Sequence, residues 1–125
     1  ITGGAYHGKR NYAKQMYPGI DFVDGISCAE ETIFACQGMD HFHSYIENRM
    51  REGKKLPELL KIVEKLKCEN SEIVLITDEI GYGIVPTDAF YREYRETHGR
   101  VCTQIAAEAK EVHRVICGIG TVIKG

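Results

Sequence analysis

Ile1-Thr2-Gly3-Gly4-Ala5-Tyr6-His7-Gly8-Lys9-Arg10 is the stretch on which the reading of the whole chain turns. From Gly3 it fits G-x-x-x-x-G-K, the pattern of a phosphate-binding loop (P-loop) between a strand and a helix. The glycines let the backbone curl so that several N–H groups converge on one anion. The helix that follows adds the positive end of its dipole, and Lys9 supplies a mobile point charge for the β- and γ-phosphates. The competing reading is a tight strand-to-helix turn whose lysine is merely solvated. Arg10 stands where such loops usually carry the Ser or Thr that ligates Mg2+. A guanidinium has donors only, so it suits phosphate and not metal.

Working outward, residues 9–17 read as a helix stopped by Pro18-Gly19. Residues 20–23 read as a short apolar strand closed by Asp24-Gly25. An acid at that strand end is placed to hold nucleotide-bound Mg2+ directly or through water; the plainer reading is a turn-forming Asp-Gly. Residues 28–37 read as a helix or an irregular lid. Residues 41–52 form a helix with Phe42, Tyr45, Ile46 and Met50 on one face, and Leu56, Leu59, Leu60, Val63 and Leu66 mark another. Ile73-Val74-Leu75-Ile76 is a strand buried on both faces. A glycine-rich loop over 78–86 leads to a helix capped by Thr87 or Asp88 and running to His98. Gly99 breaks or bends it, a second helical piece covers 101–111, and residues 112–117 form a strand followed by Gly118 and Thr121-Val122-Ile123. Strands alternating with helices predict an α/β fold, P-loop NTPase-like, with a mostly parallel central sheet flanked by helices. Ligands of such sheets bind at the carboxyl ends of the strands, where loops open at Gly3, Asp24, Asp78 and Gly118.

The chain has 125 residues, enough for one domain with its own core and read here as a single nucleotide-binding domain over 1–125. Its net charge of −2 argues against nucleic acid as a partner, and runs such as Glu47-Asn48-Arg49-Met50-Arg51-Glu52 read as a solvated helix surface. Five cysteines, at 28, 36, 68, 102 and 117, include no CxxC pair, which argues against a zinc site or a disulfide framework. Cys117, among apolar neighbours, reads as a small buried hydrophobe. A reducing, cytoplasmic setting follows, with no apolar run near the roughly 20 residues of a membrane span and no visible signal peptide.

Thr2-Gly3-Gly4-Ala5 leading to Gly8-Lys9, together with Thr77-Asp78-Glu79-Ile80-Gly81-Tyr82-Gly83-Ile84-Val85-Pro86, resembles the adenosylcobinamide kinase/adenosylcobinamide-phosphate guanylyltransferase family. Arg92-Glu93-Tyr94-Arg95 with Gly99 and Gln104, and the ending over 112–123, are similar to further motifs of that family. The resemblance implies ATP or GTP bound at Gly3 to Arg10, with Mg2+ and a cobinamide-type alcohol as phosphoryl acceptor. It also implies a P-loop α/β fold and a homo-oligomer, a trimer. The family passes GMP from GTP through a histidine. That histidine belongs to a segment between the P-loop helix and the next strand, and here Tyr17-Pro18-Gly19 runs straight across. Two accounts therefore stand side by side: an enzyme reduced to the kinase half, and a nucleotide-binding or regulatory paralogue without chemistry. An unrelated small P-loop kinase is a third.

Among the remaining candidates, Lys9 and Glu79 read as catalytic. Glu79 would orient a hydroxyl or act as general base, unless it pairs with Arg92 or Arg95. Those two arginines share a helix face and suit a phosphate clamp or a subunit contact. His7 reads as a polar replacement for serine at the loop tip, or as a phosphorus acceptor. His41 and His43 face different ways on a helix, which argues against a metal pair; one reads as partly buried and one as surface. His98 reads as a helix C-terminal residue and His113 as strand surface.

Overall fold

The computed structural model of the chain describes residues 1–80 and 88–125. Its strands are β1 (Thr2–Gly3), β2 (Phe22–Asp24), β3 (Gly38–Asp40), β4 (Val74–Leu75), β5 (Thr77–Asp78), β6 (Val112–Ile116) and β7 (Ile119–Lys124). Its α-helices are α1 (Lys9–Met16), α2 (Phe42–Arg51), α3 (Leu56–Glu69) and α4 (Ala89–Glu108). One sheet runs β5-β1-β6-β7 and the other β2-β3-β4. Every pairing is parallel except β6 with β7. The α/β architecture with a mostly parallel sheet flanked by helices is thus the one expected from the sequence.

The apolar run at 73–76 does not make one simple strand. β4 pairs with β3 through Val74↔Gly38 and Leu75↔Met39, and two residues later β5 pairs with β1 through Thr77↔Thr2 and Asp78↔Gly3. Ile76 lies between, 1% exposed; its N–H donates to the Met39 carbonyl and its own carbonyl accepts from Phe42 N–H, both at 2.9 Å. The extended segment hands over from one sheet to the other. This brings Gly3, Asp40 and Asp78 out together at the carboxyl ends of β1, β3 and β5.

The core lies where α2, α3 and α4 pack together over Met39, with Ile33, Phe42, Tyr45, Leu59 and Val101 at its centre. Asp88 caps α4, its Oδ1 accepting from Phe90 N–H at 2.8 Å and Tyr91 N–H at 3.3 Å. Gly99 does not break this helix, contrary to the sequence reading. A mid-helix glycine costs about 1 kcal/mol against alanine, and the buried face of Tyr94, Thr97, His98 and Val101 outweighs that.

His98 is consequently in mid-helix, not in a last turn. Its Nε2 lies 2.9 Å from Thr77 Oγ1 and 3.4 Å from Cys102 Sγ. Burial lowers its pKa to about 4 and pushes the Cys102 thiol up to about 12. Three other expectations are corrected. Residues 28–37 contain a short 3-10 turn, Glu30–Phe34, and the chain then enters the unanticipated β3. His113 is 2% exposed, because α1 covers β6 and the Tyr12 hydroxyl sits 2.6 Å from its Nδ1. Cys117 is exposed, at the β6–β7 turn with a left-handed φ of 51°. The expected Thr87 cap and the Gly81 to Pro86 part of the second motif lie outside the described residues. Among the described residues no helix is long and apolar enough to cross a membrane.

Candidate functional site

β1 ends at Gly3, and only glycine fits there: a Cβ would stand 2.4 Å from the Val115 carbonyl oxygen of the neighbouring strand. The chain then turns through Tyr6, with φ 60°, and Gly8, with φ 84°, into α1. Gly8 is the N-cap and no side chain caps the helix. The first helical amides are therefore left for another acceptor. His7 braces the loop. Its carbonyl accepts from Gly118 N–H at 2.7 Å and its Nδ1 from Cys117 N–H at 3.2 Å. The histidine thus fixes the loop to the β6–β7 turn.

Lys9 is 8% exposed, and its ammonium donates to the Gly4 carbonyl at 2.7 Å and pairs with Asp78 Oδ1 at 2.7 Å. Asp78 is itself held by His43. The Asp78 amide donates to His43 Nδ1 at 3.0 Å, and His43 Nε2 lies 3.5 Å from Asp78 Oδ2. Since Nδ1 accepts, the neutral ring carries its proton on Nε2, toward the carboxylate. Burial first, then the charges of His41 and Lys9, hold the His43 pKa below the usual imidazole range, against the opposing pull of Asp78. Asp40, 7% exposed, accepts from His41 N–H at 2.8 Å through Oδ1, and its Oδ2 is 3.5 Å from Arg10 Nη1. Loop residues 5–11 with Asp40, His41 and Asp78 line a cavity of about 300 Å³.

The sequence candidates divide between this cavity and elsewhere. Ala5, Tyr6, His7, Gly8, Lys9 and Arg10 line it, while Gly3, at the end of β1, and Gly4 are not among its lining residues. Asp24 does not line it; its Oδ1 closes a turn onto Ile26 N–H at 2.9 Å and meets His41 Nδ1 at 3.1 Å. The acids beside the loop are Asp40 and Asp78. Glu79 turns both oxygens onto Arg114, at 2.7 and 3.0 Å, instead of onto Arg92 or Arg95. Arg92 and Arg95 line a separate cavity of about 850 Å³ between α3 and α4, floored by Leu56 and Leu60. Asp40 and His41 escaped the sequence reading as site residues because β3 is three residues long and its only signal is an acid directly after an apolar pair. Among the described residues no three His, Cys, Asp or Glu side chains gather to hold a metal unaided.

A family model described as cobinamide kinase / cobinamide phosphate guanyltransferase matches residues 22–123. The bifunctional adenosylcobalamin biosynthesis protein CobU of Escherichia coli strain K12 is 48% identical over 54 residues, which is 43% of this chain and 30% of that protein. The protein of the same description from Salmonella typhimurium is 46% identical over 54 residues, again 43% and 30%. The aligned stretch thus spans less than a third of either relative, and the glycine-rich loop over 3–10 precedes the family match.

Proposed function

Since this chain belongs to the cobinamide kinase / cobinamide phosphate guanyltransferase family, we propose that it binds ATP or GTP on residues 3–10 and transfers the terminal phosphoryl group to a cobinamide-type alcohol. The observation that carries this reading is the buried Lys9 ammonium, fixed between Gly4 and Asp78 at the wall of the loop cavity. A cation already oriented and partly desolvated binds a phosphate without first losing its freedom. The uncapped start of α1 supplies amide donors to the same anion. Mg2+ supplies charge neutralisation on the nucleotide when bound. The carboxylate best placed to reach it beside the loop is Asp40, with Asp24, its register partner on β2, behind His41. A homo-oligomeric, cytoplasmic enzyme remains the family-based expectation.

One observation favours the second reading, a nucleotide-binding protein without turnover. Arg10 approaches Asp40 at 3.5 Å and competes with Mg2+ for it. Calorimetry with ATP and GTP, with and without Mg2+, paired with phosphoryl transfer to adenosylcobinamide, separates the two. Binding with transfer is expected. Binding alone, indifferent to Mg2+, selects the paralogue, and no binding of either nucleotide ends both.

A further inference from the structure

His41 lines the loop cavity. It joins β3 to α2 with φ 55°, a left-handed conformation that non-glycine residues rarely adopt. Such strain persists only where the surroundings over-determine it, and here they do. Asp40 Oδ1 accepts from the His41 amide at 2.8 Å, and Asp24 Oδ1 lies 3.1 Å from His41 Nδ1. Gly25 is packed so closely that a Cβ on it would stand 2.4 Å from the His41 carbonyl oxygen. An ionised carboxylate only accepts, so Nδ1 carries the proton and Nε2 keeps its lone pair. Among the described residues Nε2 has no hydrogen-bond partner. The residue shares its cavity with Lys9 and Asp78.

We propose that His41 is the general base of phosphoryl transfer and that Asp24 is the residue that positions it. The inference rests on the nucleotide reading of the loop. His41 Nε2 removes the proton from the acceptor hydroxyl as that oxygen bonds to the terminal phosphorus. The bond from phosphorus to the bridging oxygen breaks, and its electron pair leaves with the nucleoside diphosphate. The imidazolium, stabilised by Asp24, then gives its proton to solvent.

The test uses His41→Asn, since asparagine tolerates a left-handed backbone and cannot take up the proton. With ATP and adenosylcobinamide, turnover falls by about 100-fold or more, the usual range for a lost general base. Nucleotide affinity by calorimetry changes by less than about threefold, because the loss is confined to the chemical step. In Asp24→Asn, nitrogen-15 spectra of the ring show the proton no longer fixed on Nδ1, and the rate falls with it. Turnover of His41→Asn near that of the wild type overturns the proposal. So does a wild-type ring protonated on Nε2, or a phosphoryl or nucleotidyl group trapped on His41. Wild-type protein that binds nucleotide but transfers nothing overturns the base alone, whereas protein that binds no nucleotide removes the loop reading beneath it.

Discussion

The loop rim and the groove between α3 and α4 both carry cations, yet they hold them in opposite ways. Lys9 is 8% exposed and is fixed by a carbonyl and a carboxylate. In the groove, Arg100 is 63% exposed and meets a Glu96 that is 68% exposed, one helical turn away. The first arrangement fixes a charge in one place, and the second is a solvated ion pair of small net value. Similarity runs the other way. Arg92, Arg95, Gly99 and Gln104 fall inside the matched stretch and line the groove, while the loop lies outside that stretch. Kinship is written in one region and the plainest phosphate chemistry in the other, so neither substitutes for the other as evidence of function.

α4 joins the two regions, and the largest effect is expected where it meets β5. The folded-state pKa of His98, about 4, lies below the ordinary 6.5. The unfolded chain therefore binds the extra proton first, and stability rises with pH between these values. The contribution is complete above about pH 6.5 and is lost as pH falls toward 4, amounting to about 3 kcal/mol at most. Urea unfolding at pH 7 and pH 4 checks this, and His98→Gln is expected to lose less over the same interval. An equal loss in the variant would place the pH sensitivity elsewhere. Next in size, Lys9→Ala should weaken ATP or GTP binding by roughly 1.5–3 kcal/mol, the range for a hydrogen bond to a charged group. Arg95→Ala should shift it by less than about 0.5 kcal/mol, as for a surface change remote from the ligand. Comparable losses in calorimetry would merge rim and groove into one site. Smallest, Arg100→Ala should change the urea midpoint by an amount worth no more than about 0.5 kcal/mol.

The loop, the helices and the parallel sheet were legible because each rests on a local rule: glycine spacing, apolar period, a capping Asp88. What escaped depends on neighbours far along the chain. His113 shares a face of β6 with the buried Val115, and Tyr12 arriving from α1 gives its polar ring a partner there. The break at Ile76 is invisible in an unbroken apolar run, since it arises from a change of partner strand. Gly99 looks like a helix stop until the buried face of α4 is counted. The loop carboxylates follow the same logic. Asp24 has the better local signal, but β5 beside β1 brings Asp78 to Lys9, and β3 brings Asp40 to Arg10.

The bonds from Cys117 and Gly118 to His7 carry a consequence for how the protein is made. The glycine-rich turn is synthesised more than a hundred positions ahead of the residues that brace it. A product released early, before Cys117, would display an intact motif on an unsupported backbone. Newly made chains should therefore acquire affinity for nucleotide abruptly, near the completion of β6 and β7, and not gradually as the sheet grows.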